Sequence, residues 1–205
     1  AQPSSSIPVM AEYDPKADLR TYLQEARDAV VWKLKKLSEY DVRRPMTPTG
    51  TNLLGLIKHL AGLESGYFGE TFVRPFPEPT PGFEAGAEPN ADLWATREET
   101  REQIVGLYQR ACAHADVTIE TLPLETIGHV PWWNAGGAAS LHKILVHMIA
   151  ETNRHAGHAD VVRELIDGSV GYMEDDSNLP DVDEAWWETH RARIEAAARE
   201  AAHNN

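Results

Sequence analysis

The order of apolar and polar residues along the chain follows helical spacing. Apolar positions recur every three or four residues in five stretches, which is the period of an amphipathic helix. The first predicted helix begins at the Asp14 cap and stops before Pro45, and the second runs from Thr51 or Asn52 to about Phe72. No strand pattern longer than a few residues interrupts this order.

Three more helices are predicted in the second half of the chain. The third covers about 92–122 and is capped by Asp92, the fourth covers about 138–167 and ends at Gly168, and the fifth covers about 183–202. Four long helices and an additional, shorter C-terminal helix predict an all-α fold of the helical-bundle type.

Two long loops separate the predicted helices. Residues 74–90 contain five prolines, a density that neither a helix nor a central strand tolerates. Residues 123–137 contain the sequence Pro131-Trp132-Trp133, which is expected either to plug the core or to line a pocket. Because sites in helical bundles lie between helices and are covered by their connections, we expect both loops to frame the mouth of a site.

Composition narrows the class of protein and its partners. The chain has 205 residues, of which 42% are hydrophobic and 25% charged, as expected for one globular domain over 13–205. Residues 1–12 are expected to be a disordered N-terminal segment or a cloning remnant, with Met10 as a native start. The net charge of −13 disfavours nucleic acid and anionic lipid, and no apolar run is long enough to span a membrane. Small molecules or proteins are therefore the expected partners.

The cysteine content limits the cross-links and metal sites that the chain can form. Cys112 is the single cysteine, so neither an intramolecular disulfide nor a multi-cysteine zinc site can form. This fits a reducing compartment, and we expect a cytoplasmic protein. The position of Cys112 on the apolar side of the third predicted helix favours inert packing.

The fourth predicted helix carries ionisable residues on what should be its core-facing stripe. The stripe advances in steps of four and three residues through Ile144, Met148, Glu151, His155, His158, Val162 and Leu165. At ~100° per residue, Glu151, His155 and His158 fall within a sector of ~60°. A carboxylate and two imidazoles are costly in an apolar stripe unless they are paired or bind a metal. A metal would need another ligand from a facing helix, and His59 on the second helix is the best candidate.

Other interpretations of these residues stay open on the pattern alone. A single helical His is usually a hydrogen-bonded residue, and a Glu-His pair four residues apart is often a surface pair. The sequence has neither the His-Glu-x-x-His motif of zinc proteases nor the paired Glu-x-x-His helices of di-iron bundles. It also has no phosphate-binding loop and no nucleophile elbow.

Two motifs resemble a known superfamily. The segment TGTNLLGLIKHLAGLESGYFG over 49–69 resembles the second helix of the DinB/YfiT-like metalloenzymes, and LVHMIAETNRHAGHADVVRE over 145–164 resembles their metal-bearing helix. The Pro-Trp-Trp loop and the Ala-Trp-Trp-Glu start of the last helix are similar to an actinobacterial branch of it. That branch is related to the mycothiol-dependent maleylpyruvate isomerase and to bacillithiol transferases. The resemblance extends over nearly the whole chain from Tyr13.

The resemblance implies a fold and a ligand set. The fold is a four-helix bundle of up-down-down-up order, and the two long loops agree with it. The implied ligands of one divalent transition metal, Zn, Ni or Fe, are His59, Glu151 and His155. His158 falls where a fourth ligand, or a residue that orients a ligand or bound water, is expected.

The resemblance also implies thiol chemistry. Several of its members use a low-molecular-weight thiol such as mycothiol as cofactor or co-substrate, so we expect an S-transferase or a thiol-dependent isomerase acting on a small molecule. Arg154 and Arg163 are expected to hold a carboxylate of the thiol. A metal-dependent hydrolase that uses bound water, and a non-catalytic metal-binding or stress protein, remain rival hypotheses. The sequence leaves a homodimer open.

Overall fold

The computed structural model describes residues 13–134 and 136–203, and α-helices dominate them. The expectation for residues 1–12 lies outside the described residues. The all-α fold class is confirmed. The helices of the described residues are α1 (Pro15–Trp32), α2 (Glu39–Arg43), α3 (Leu53–Glu64), α4 (Arg101–Thr121), α5 (Leu141–Asp167) and α6 (Glu184–His203).

Short elements extend or join these helices. A π-helical turn, Ser65–Gly69, and a 3₁₀ turn, Glu70–Phe72, continue α3, and a second 3₁₀ turn spans Ala91–Leu93. The strands β1 (Ile127–His129) and β2 (Ala138–Ser140) pair antiparallel just before α5 begins. The strands are only three residues long, which is why no strand pattern stands out in the sequence.

The core is built around α3. This helix packs against both α4 and α5, and α1 packs along α5. Most of α3 is buried because its residues are apolar or small nearly all the way round. The contact between α3 and α5 places the helix that carries His59 beside the helix that carries Glu151 and His155.

The first predicted helix is in fact two helices. The α1 helix ends at Trp32, Lys36 adopts a left-handed backbone (φ 63°), and Ser38 caps α2. The guanidinium of Arg163 on α5 donates to the backbone carbonyls of Lys33 and Lys35 at 2.8 and 2.9 Å, so it stabilises the turn between them. The apolar spacing continues across this break, which is why the pattern alone predicts one helix.

The third predicted helix begins later than expected. Its cap is Thr100, which forms a capping box with Gln103, and the expected cap Asp92 lies instead in the turn Ala91–Leu93. The fourth helix starts at Leu141, after the Ser140 cap, and ends at Gly168 as predicted. Among the described residues, no helix combines the length and apolarity needed to cross a membrane.

Candidate metal centre

Three predicted ligands meet at the contact between α3 and α5. One potential ligand atom each from His59, Glu151 and His155 lies within 4.8 Å of the other two. The two imidazole rings are 4.9 Å apart between centroids, and His155 Nε2 is 3.2 Å from Glu151 Oε1. The His155 side chain is 11% exposed and that of Glu151 29%, so the cluster lies at the edge of the core.

The core-facing stripe of α5 differs in part from the predicted one. It runs through Leu141, Leu145, Met148, Thr152, His155, Ala159 and Val162, with Ile144 and Ala156 beside it. Four of the predicted positions, Ile144, Met148, His155 and Val162, are buried. Glu151 is half-buried, whereas His158 and Leu165 are exposed. The small residues Thr152 and Ala159 carry little hydrophobic signal, but their size suits the contact between helices.

The environment of His155 suits a metal ligand. Burial, and then the nearby His59, lower the pKa of His155 below the ordinary value of an imidazole, so its neutral form is favoured. Neutral imidazole is the form that binds metals. Among the described residues, the buried Nδ1 of His155 has no hydrogen-bond partner, which is unfavourable for a buried polar atom. Two imidazoles and a carboxylate are a donor set that divalent transition metals accept, so the residues present fit such an ion.

His59 has a partner that the sequence analysis missed. Its Nδ1 is 2.5 Å from Oδ2 of Asp92, and both side chains are mostly buried, with 17% and 16% exposed. The sequence offers no signal for this contact. Asp92 precedes a charged, helix-compatible stretch and therefore resembles a helix cap.

Residue Phe83, from the proline-rich loop 74–90, lies against the cluster. Its ring stacks on His59 with 6.0 Å between centroids. It also covers Gly62, one turn along α3, where any added Cβ would overlap the Phe83 ring. Glycine at this position therefore permits the loop to approach α3, which brings Phe83 of the loop beside His59.

The two tryptophans contact Tyr67, which lies in the π-helical turn that continues α3. The indole N–H groups of Trp132 and Trp133 both donate to the hydroxyl of Tyr67, each at 3.2 Å. The His147 ring is 4.7 Å from that of Tyr67 and 5.4 Å from that of Trp133. His147 lies one helical turn before Glu151 on α5, so the tryptophan loop borders the same interhelical region.

The remaining predicted site residues are placed differently. His158 is exposed, with its ring centroid 5.5 Å from that of His155, and Arg154 is exposed on the same helix. The structure does not bring Arg163 to the cluster, because its buried guanidinium is taken up by Asp167 and by the turn after α1.

Comparisons with known proteins give a family and a solved structure with a similar fold. A family model described as mycothiol S-transferase matches residues 18–168. A crystal structure of a conserved protein from Enterococcus faecalis shares the fold, with a TM-score of 0.55 and 14% identity, over 77% of this chain and 99% of that one. No relative was found among the curated proteins. Because the family model covers most of the chain, this protein belongs to the mycothiol S-transferase family, which is DinB/YfiT-like.

Proposed function

We propose that the chain is a metal-dependent enzyme that transfers a low-molecular-weight thiol of the mycothiol type to a small electrophile, in the cytoplasm. The observation that carries this proposal is the convergence of His59, Glu151 and His155 in a chain of the mycothiol S-transferase family. We also propose the up-down-down-up bundle order that the resemblance implies.

The three clustered side chains would hold one divalent transition metal. Two neutral imidazoles and one carboxylate leave a 2+ ion with a net charge of +1 and with open coordination positions. When bound, such an ion favours the thiolate form of a sulfur ligand and acts as a Lewis acid. The single cysteine of the chain is a poor competitor for this role, because burial, and then Glu64, raise the pKa of Cys112 well above its usual range.

Other residues of the chain would bind and orient the reactants. Phe83 covers one side of His59 and limits the access of water to the cluster. His158 lies at the exposed edge beside His155, where its imidazole can accept a proton released by the thiol and pass it to solvent. Of the two arginines predicted to bind the thiol, Arg154 is exposed and Arg163 is buried. Arg154 would attract an anionic group of the thiol or substrate.

A cobalt-substituted protein tests the proposal. Adding mycothiol or a similar thiol should produce a thiolate-to-cobalt charge-transfer band, and the loaded protein should consume an activated haloarene only when the thiol is present. The Cys112→Ser variant should behave identically, because the added thiol and not this cysteine supplies the sulfur ligand.

Other outcomes would favour the rival hypotheses. Hydrolysis of a test ester or amide without any thiol, and with no spectral change on adding thiol, would replace the transferase by a metal-dependent hydrolase. Stoichiometric metal without any turnover or thiol binding would indicate a binding protein.

A further inference from the structure

We infer that Asp92 is a positioning residue for His59, which fixes the tautomer and the orientation of the imidazole so that Nε2 is the nitrogen available to a metal. This inference deepens the proposed function and rests on it for the metal. It concerns a residue that lies outside the three-ligand cluster and reaches it from the connection between α3 and α4.

The contact itself determines where the proton lies. A neutral imidazole has one N–H donor and one acceptor nitrogen, and a carboxylate can only accept. Because Nδ1 of His59 is 2.5 Å from Oδ2 of Asp92, Nδ1 carries the proton and the free lone pair is on Nε2. Carboxylates and carbonyls play this part behind many metal-binding histidines, where they also raise the basicity of the ligand.

The segment that carries Asp92 is fastened to α3. The buried ammonium of Lys58 donates to the backbone carbonyls of Ala91 and Trp94, at 2.9 and 3.0 Å. The amide of Asn52 donates to the carbonyl of Leu93 at 3.1 Å. Lys58, which holds this segment, is the residue before His59 on α3. The same part of α3 therefore positions both His59 and Asp92.

A glycine allows this close approach. A Cβ added at Gly55, in the helix turn that precedes His59, would overlap the carbonyl oxygen of Leu93. Any side chain there would push the segment 91–94 away from α3. The position of Asp92 therefore depends on α3 at Gly55, at Asn52 and at Lys58.

His59 needs such a partner more than the other two ligands do. Glu151 and His155 are on one helix, four residues apart, and contact each other, whereas His59 approaches from another helix. The χ2 angle of His is broad and roughly two-fold, so a ring without a partner can turn and exchange its two nitrogens. Asp92 selects one of these states before any metal arrives.

The first test measures the tautomer in the metal-free protein. Long-range nitrogen–proton NMR spectra at pH ~9, where imidazoles are neutral, should show His59 protonated on Nδ1. In Asp92→Ala the signal should move towards the Nε2-protonated form, which is the commoner state of a free imidazole. Asp92→Asn should keep the Nδ1 form, because its amide oxygen still accepts. Wild-type protein with the proton on Nε2 would overturn the inference.

The second test measures zinc affinity by competition with a chelator. Asp92→Ala should bind zinc about 10–100-fold more weakly, Asp92→Asn less so, and Gly55→Ala should resemble Asp92→Ala. The matched control is Glu78→Ala, a carboxylate in the same connection that pairs with Arg110 at the surface and should leave the affinity unchanged. Equal affinities of Asp92→Ala and Glu78→Ala would overturn the inference.

The two tests separate this inference from the proposed function. Loss of zinc affinity in Asp92→Ala, with the tautomer change, supports the inference even if no thiol is transferred. A wild-type protein that binds no metal would overturn both the proposed function and the metal-positioning role of Asp92.

Discussion

The α3 helix contributes one residue to each of two clusters of ionisable side chains, and the two clusters differ in how their polar atoms are paired. In the first, which we term the Arg27 cluster, the Arg27 guanidinium donates twice to Glu64 at 2.7 Å and once to Asp116 at 2.8 Å. In the second, the candidate metal centre of His59, Glu151 and His155, the buried Nδ1 of His155 has no hydrogen-bond partner among the described residues. The two clusters are five residues apart on the chain, at Glu64 and His59.

The two clusters also differ in the protonation of their buried groups. Burial alone would lower the pKa of Arg27, but the neighbouring Glu64 raises it far above its usual range, so the guanidinium stays protonated. Burial lowers the pKa of His155, so the neutral form of this imidazole is favoured. Arg27 and its two carboxylates balance charge against charge in the first cluster, whereas two imidazoles and a carboxylate come together in the second with no cationic side chain among them. This difference in charge is what makes the second cluster, and not the first, a candidate ligand site.

The largest expected effect on stability comes from breaking the Arg27 cluster. Arg27→Ala leaves Glu64, which has no exposed surface, without its counter-ion and should lower the free energy of unfolding by about 3–5 kcal/mol. Urea denaturation measures this loss. The matched control is Arg20→Ala, which removes an exposed pair with Glu120 and should cost less than about 1 kcal/mol. Equal losses in the two variants would contradict the structural role, and Arg27→Met with Glu64→Leu should recover most of the stability.

Removing a ligand tests the other cluster. His155→Ala should abolish stoichiometric metal, because the two remaining donors are too few for a divalent ion. Elemental analysis after gel filtration measures the metal content. His142→Ala is the matched control, since His142 is exposed on the same helix and should keep the wild-type content. Unchanged metal in His155→Ala would refute the assignment.

Adding metal should stabilise the protein through the candidate metal centre and not through the Arg27 cluster. Zinc at about 100 times its dissociation constant should raise the free energy of unfolding by about 2.7 kcal/mol, and a chelator should reverse this. Thermal or urea denaturation with and without zinc measures the shift. Glu151→Gln should lose most of it, whereas Asp116→Asn, in the Arg27 cluster, should keep it. A full shift in Glu151→Gln would argue against Glu151 as a ligand.

The smallest expected effect is a pH dependence of the metal-free protein. Because the folded pKa of His155 is lowered, the unfolded chain takes up the proton first as the pH falls. The contribution of His155 to stability is therefore complete above pH ~6.5 and is lost below it. Urea denaturation at several pH values should show this slope, and His155→Gln should flatten it. An unchanged slope in His155→Gln would assign the effect to other groups.

The sequence predicted which side chains come together at the candidate metal centre better than it predicted their surroundings. The spacing of Glu151 and His155 puts both on one side of a helix wherever that helix packs, so their proximity follows from local geometry. His158 obeys the same spacing and is nevertheless exposed, because the contacts of α5 select a neighbouring stripe that passes through small residues. Arg163 looked like a ligand-binding cation, but its partners are backbone carbonyls that no pattern in the sequence reveals.

The sequence by itself determined the all-α class, the ends of helices marked by strong signals such as Asn52 and Gly168, and the family. These depend on local conformational preference and on apolar period, which a linear pattern contains. Only the tertiary structure decided that Asp92 meets His59 and that Arg27 is neutralised by Glu64. Both contacts join residues more than thirty positions apart, and they depend on where loops and helices pack. The free energy of burying an ionisable group depends on the partner that it meets in the folded protein. The sequence therefore shows which ionisable groups are present, but only the fold shows which of them are paired.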